Sequence, residues 1–274
     1  MRTAAYVAVA LVATGLFVKR GLARTNDGEH TAPRVGAIDA AGARLVRVTG
    51  EAGDLRVVAV EGASAVRVKG TARASRASGL DEIKLALHRK GDELFVRAVV
   101  PSSSGRSWFG GSTRFGGPTR RALDMVVEVP ASLEAQVADG SGDVEVRGVS
   151  ALDLTDGSGN VRVVDVRGPV RLTDGSGEVE LIGTAGDVWL NDGSGNVRVR
   201  DVAGSIVVDD DGSGELHASG VRGDVLVRHD GSGDIDVSDV GGRLIVARDG
   251  SGEVRHHDVR GGVEIPRRRS AHRR

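Results

Sequence analysis

The chain contains no cysteine, which excludes disulfides, thiolate metal sites, a cysteine nucleophile and a lipidated cysteine. Aromatic residues make up only 3% of its 274 residues, too few for the large irregular core of a typical globular enzyme. Proline is scarce, at 6 residues against 41 glycines. Net charge is almost absent as well, since 37 Lys and Arg offset 38 Asp and Glu to leave a formal charge of −1. A nucleic-acid binder normally shows a basic stripe, and this balance argues against one. What the chain does have is glycine, valine and mixed charge. That composition suits a narrow interior filled by small branched side chains.

Long hydrophobic runs are also missing, with one exception at the start. Arg2 precedes an uncharged run from Thr3 to Val18. As a helix this run would span about 24 Å, short of the roughly 30 Å hydrocarbon core of a bilayer. Residues 1–23 therefore read as a signal peptide or a short membrane anchor. Gly21-Leu22-Ala23 offers a small-x-small cleavage site, while Lys19 and Arg20 just before it favour retention. Both outcomes imply export, and residues 24–37 follow as a linker.

The rest of the sequence is organised by a repeat. The tetrapeptide Asp-Gly-Ser-Gly begins at Asp139, Asp156, Asp174, Asp192, Asp211, Asp230 and Asp249, at spacings of 17, 18, 18, 19, 19 and 19 residues. Counting from each Asp as zero, position 5 holds Val144, Val161, Val179, Val197, Leu216, Ile235 and Val254. Position 7 holds Val146, Val163, Leu181, Val199, Ala218, Val237 and His256. Positions 14 and 16 are apolar throughout from the second repeat on, from Val170 and Leu172 to Val263 and Ile265. Leu152 and Leu154 fill these columns in the shorter first repeat. Apolar pairs two residues apart have the period of a strand, and a glycine in every unit opposes a helix. Each unit thus supplies two short strands and two corners, one at Asp-Gly-Ser-Gly and one at the glycine of position 12. Near-identical units stacked about 4.8 Å apart make an all-β parallel β-helix, or β-solenoid, of about seven regular coils of 17–19 residues. These regular repeats occupy residues 131–265.

Residues 38–130 read as a degenerate N-terminal β region. Leu45 to Thr71 echoes the unit, Ile83 to Leu87 and Leu94 to Val100 have the pattern of a hairpin, and Ala122 to Val129 is a further strand. A loop rich in Gly, Ser and Arg, residues 101–121, interrupts the region. Residues 266–274 form a basic tail with the composition of a disordered segment.

The repeated Ser-Gly-(Asp/Glu/Asn)-Val units, the strand ending Val127-Glu128-Val129-Pro130 before them and the apolar N-terminus resemble a bacterial β-strand-repeat family of unknown function. That family carries the label putative adhesin. The resemblance covers roughly residues 38–265 and implies a parallel β-helix in the cell envelope.

Candidate chemistry is sparse. Seven equivalent serines at a turn lack the base and oxyanion hole of a nucleophile, and no Gly-x-Ser-x-Gly elbow occurs. A polysaccharide-active β-helix enzyme would need acidic or basic insertions that break the repeat, and the repeats carry almost none. The chain is therefore read as a non-enzyme with no cofactor. The seven Asp at the tetrapeptide corner are weak calcium candidates, since stacked like charges call for compensation. Backbone amides and solvent are the alternative means of satisfying them. His256-His257-Asp258 is a poor metal site, because adjacent strand residues face opposite sides.

Two features suit an interaction surface. Trp108, Phe109 and Phe115 lie in the 101–121 loop beside Arg106 and Arg114, where they either bind a partner or cap the solenoid end. At position 15, between two inward columns, side chains must point outward. That column reads Arg171, Trp189, Val207, Leu226, Ile245 and Glu264. Four successive coils thus present a large apolar side chain in one line. The line is either covered by the loop or the N-terminal region, or it is a face for self-association or a partner. The expectation is a non-catalytic, exported solenoid of the periplasm, outer surface or membrane-anchored envelope. It would present a surface to an envelope protein or glycan. The alternative is a structural or sensory envelope component that binds another envelope protein.

Overall fold

The computed structural model describes residues 23–24, 29–101 and 120–265. In chain order its first strands are β1 (Ala23–Arg24), β2 (His30–Asp39), β3 (Leu45–Thr49), β4 (Leu55–Val60) and β5 (Ala65–Ala74). A one-turn helix α1 (Ala77–Leu80) leads to β6 (Lys84–Lys90), β7 (Glu93–Val99) and β8 (Arg121–Pro130). The repeats then supply β9 (Glu134–Asp139), β10 (Val144–Arg147), β11 (Leu152–Asp156), β12 (Val161–Val166), β13 (Val170–Asp174) and β14 (Val179–Thr184). They continue as β15 (Val188–Asp192), β16 (Val197–Val202), β17 (Ile206–Asp211), β18 (Leu216–Val221) and β19 (Val225–Val227). The last are β20 (Ile235–Val240), β21 (Leu244–Val246), β22 (Val254–Val259) and β23 (Val263–Glu264).

These strands form a β-solenoid of two sheets. A 12-stranded sheet A runs β1-β2-β5-β8-β4-β10-β12-β14-β16-β18-β20-β22. An 11-stranded sheet B runs β23-β21-β19-β17-β15-β13-β11-β9-β3-β7-β6. From β9 on, each coil gives one strand to each sheet, and each strand pairs in parallel with its equivalent one coil away. Val144 lies against Val161, Val161 against Val179 and Val179 against Val197. The columns at positions 5, 7, 14 and 16 fill the space between the sheets, and residues such as Val163, Leu181, Val188 and Val225 are fully buried. Position 10 also points inward, from Val149 through Val240, with Thr184 the polar exception.

The inward turn at position 10 is made possible by position 9, where the backbone is left-handed. Glycine and aspartate alternate there as Gly148, Asp165, Gly183, Asp201, Gly220 and Asp239. A Cβ on Gly183 would lie 2.9 Å from Asp165 Oδ1, so an Asp in one coil occupies the space above the next. Glycine is the residue that accepts both the positive φ and the crowding. The result is a superrepeat of two coils up to Asp239; the last coil departs from it with a second aspartate, Asp258, at the same left-handed position.

The N-terminal region adds two coils out of chain order. β3 and β4 stack directly on β9 and β10, and β7 and β8 stack beyond them. β5 and β2 then continue sheet A as antiparallel strands, and β6 continues sheet B as the hairpin partner of β7. Val66, Val68, Leu80, Ile83 and Leu123 close the core at this end. The 101–121 loop leaves between β7 and β8, at the same corner where the regular coils carry Asp-Gly-Ser-Gly.

Candidate interaction face and the aspartate column

The outer face of sheet B carries the column at position 15. Strand pairing aligns Arg171, Trp189, Val207, Leu226, Ile245 and Glu264 as direct neighbours. The four apolar members are half-buried by each other and by the flanking columns. The Arg171 guanidinium sits over the Trp189 ring, 5.7 Å from its centre, a cation–π contact between neighbouring coils. Every described strand belongs to one of the two sheets, and α1 packs on β2 and β5. Among the described residues, therefore, the N-terminal region extends the end of the rod and leaves this line uncovered. Trp108, Phe109 and Phe115 lie outside the described residues.

The same line continues toward the N-terminal end through Asp153, Gln136, Arg47 and Phe95. His88 stacks on Phe95 with ring centres 4.5 Å apart, and Arg47 lies over the same ring. Arg47 also bonds Glu93, which holds the Glu93 carboxyl below its usual range. The sequence reading did not single out Phe95. The signal was in the register of β3 against β7, which pairs strands 48 residues apart with β4, β5, α1 and β6 between them. Beside Arg171 and Trp189, a groove of about 340 Å³ opens along Arg47, Gln136 and Asp153.

A second groove, of about 670 Å³, lies on the outer face of sheet A. Within it Arg56 pairs with Glu145 at 2.6 Å and Arg162 with Glu180, which also takes Arg200 from outside the groove. The position 6 column of Glu145, Arg162, Glu180 and Arg198 is in register as the alternation of sign implies. Arg198, however, bridges to Glu178 at position 4. Acids committed to such pairs are poorly placed as free catalytic groups. Position 4 has a further role at the corner: Asp143 Oδ1 accepts from the Asn160 amide at 3.0 Å, and Asn160 Oδ1 from Glu178 at 3.2 Å.

The seven tetrapeptide aspartates are brought into one column, but not where the sequence reading set them. That reading placed them at an acidic outer corner, open either to weak calcium binding or to satisfaction by backbone amides and solvent. In the structure Asp139, Asp156, Asp174, Asp192, Asp211 and Asp230 close their strands with side chains pointing into the core, all at most 8% exposed. Parity explains the difference in the first four coils, where Leu152, Leu154 and Asp156 are alternate residues of one strand and share its inner face; from β17 on, one extra outward residue, as in Asp209-Asp210 before Asp211, is absorbed by a register shift that keeps the aspartate inward. Neighbours are aligned residue to residue, Asp139 to Asp156, Asp156 to Asp174 and so on to Asp249, which is half-buried.

The carboxylate oxygens of the six buried members lack a partner at full hydrogen-bonding geometry, although turn amides such as those of Gly140 and Gly157 and the neighbouring carboxyls lie close enough to act on them. Gly157 donates its amide to the Asp139 carbonyl and Gly159 to the Ser176 carbonyl, each at 3.1 Å. Burial, reinforced by the neighbouring carboxyls, pushes Asp156, Asp192 and Asp211 up to about 7. Burial likewise raises Asp139 and Asp230 to about 6, and it raises Asp174 as well. A protonated Asp can donate to the next coil and carries no charge, so the column is stacked most readily as acids. Toward the N-terminal end the column stops at Gly50, where a Cβ would overlap the Asp139 carboxylate, and the position beyond it is the buried Ala98. Among the described residues, no group of three or more His, Asp or Glu side chains is arranged to hold a metal ion.

No protein-family model and no curated protein matches the chain. The solved structures it is similar to are bacterial. One is described as a putative cell adhesion protein from Clostridium sporogenes, 13% identical over 86% of this chain and 98% of that chain, with a TM-score of 0.29. Another is a putative adhesin from Bacteroides fragilis, 14% identical over 85% and 96%, with a TM-score of 0.35. A putative lipid binding protein from Parabacteroides distasonis is also 14% identical, over 85% and 93%, with a TM-score of 0.35.

Proposed function

We propose that this chain is a non-catalytic, exported β-solenoid of the bacterial cell envelope, whose outer sheet B face is a surface for adhesion to a protein or glycan. The observation that supports this reading is the in-register line Trp189, Val207, Leu226 and Ile245, four large apolar side chains on successive coils of the outer sheet B face. A contiguous apolar line with a Trp anchor is the usual composition of an interface centre. The apolar N-terminal run supports export.

The test has two steps. Intact cells producing the full chain are treated with protease, and the chain is expected to be cleaved without lysis. Binding of the purified full chain to cells and to a glycan array is then compared with a Trp189→Ser/Leu226→Ser variant. The expected result is a loss of binding with an unchanged far-ultraviolet dichroism spectrum. Full protection from protease in intact cells, followed by recovery with the cytoplasm, would overturn the reading.

A further inference from the structure

We propose that the partner of the sheet B face is a second copy of this chain, docked face to face with the two rods antiparallel about a two-fold axis that runs along the strands between Val207 and Leu226. This inference rests on the reading of that face as an interaction face and names its partner.

A two-fold axis along the strands reverses the order of coils but keeps position along the strand. Each outward column therefore meets its own reverse. Position 15 reads Arg171, Trp189, Val207, Leu226, Ile245, Glu264. Reversed onto itself, it sets Arg171 against Glu264, Trp189 against Ile245 and Val207 against Leu226. The column is thus self-complementary in charge at both ends and apolar throughout its middle. The column on one side, at position 13, reads Asp187, Ser205, Asp224 and Arg243. About the same axis it sets Asp187 against Arg243. On the other side Asp209 and Arg228 follow the inward Val208 and Val227. About the same axis each faces the other's equivalent. Three adjacent columns share one centre of complementarity, and their seven charged residues, Arg171 included, are exposed or half-buried.

A parallel arrangement of rods, with the axis along the rod, would instead stack Arg171 beside Arg171 and Glu264 beside Glu264. Like charges at both ends disfavour it. The patch measures roughly 17 Å along the strands by 29 Å along the rod, or on the order of 500 Å² per partner. That is below the area of a permanent dimer, so the association is expected to be reversible and concentration-dependent. Sheet A begins with β1 at one end of the rod and finishes with β22 at the other. The two N-terminal ends of an antiparallel pair therefore point away from each other. With the N-terminal run as an anchor, such a pair joins copies on facing surfaces.

The experiment uses the full chain in detergent micelles, with its mass measured by light scattering from micromolar to near-millimolar concentration. The wild type is expected to pass from monomer to dimer over this range. Arg171→Glu and Glu264→Arg each set like charges opposite one another twice, and each is expected to weaken dimerisation by roughly tenfold or more. The double variant R171E/E264R restores opposite charges and is expected to recover most of the loss, while thermal unfolding confirms that all variants are folded. A wild type that stays monomeric, or a double variant as weak as the singles, overturns the proposal. Protease protection in intact cells with dimerisation intact would remove the adhesion reading and leave the dimer; surface exposure of a strict monomer would do the reverse.

Discussion

At one end of the rod the chain folds back over its own core; at the other, among the described residues, no further strand covers the last coil. The N-terminal end buries Val66, Val68, Ala72 and Ala74 of β5 together with Leu80 and Ile83, and it uses antiparallel pairing to do so. The C-terminal end leaves β22 and β23 with only one neighbour each, and His256, which occupies an inward column, is exposed. The difference shows how a solenoid handles two different liabilities. A hydrophobic end has to be capped, and an open strand edge has to be kept from pairing with another chain. Here the edge strand β22 reads Val-Arg-His-His-Asp-Val, so charge and histidine do at one end what extra strands do at the other.

The comparison can be broken most severely in the middle of the stack. Leu190 is fully buried between two sheets with coils on both sides, so Leu190→Ala leaves a cavity that cannot collapse. A loss of about 2–5 kcal/mol is expected, against less than about 0.5 kcal/mol for Val263→Ala at the open end. Denaturant titration of both variants checks this. Equal effects would mean that the last coil is as well buried as the middle ones. A smaller effect tests the capped end. Gly50→Ala should cost about 1–3 kcal/mol, because its Cβ meets the Asp139 carboxylate. The cost should largely vanish in an Asp139→Ala background, since the overlap is with that side chain alone. Outward charge should matter least. Arg162→Glu removes the pair with Glu180 and faces Glu145 as well, for a loss of about 0.5–1 kcal/mol that shrinks in high salt. An undiminished loss in high salt would assign the effect to packing instead.

The regular coils were legible because their information is local. Columns two residues apart, repeated at a near-constant spacing, fix strand, face and register together. The apolar line from Trp189 to Ile245 followed from the same parity, since a residue between two inward positions has to face out. The aspartates were misplaced because Asp next to Gly-Ser-Gly has the chemistry of a turn residue, which drew attention away from its place on the same face as Leu152 and Leu154. The alternation of Gly148, Asp165, Gly183 and Asp201 was on the page as sequence, but its meaning depends on a contact between coils. The N-terminal end was not legible in its topology. β2 pairs with β5, and β7 stacks outside β3, through contacts that no local pattern specifies.

Six in-register aspartates lie inside the rod, and burial among like carboxyls shifts them toward the acid form. Their raised folded values mean that their contribution to stability is complete below the unfolded carboxyl value near 4 and is lost as pH rises through about 6 to 7. Exposed pairs such as Arg47 with Glu93 act in the opposite sense, but only at more acidic pH. The direct measurement is a carbon-13 titration of the Asp side-chain carboxyls in the folded full chain, run beside the melting temperature at pH 5 and pH 8 with and without a divalent-cation chelator. The account predicts a set of carboxyl resonances titrating between about 6 and 7, a melting temperature lower by roughly 10 °C at pH 8 than at pH 5, and little change with chelator. All carboxyls titrating near 4, or a large fall in melting temperature with chelator that calcium reverses, would contradict it.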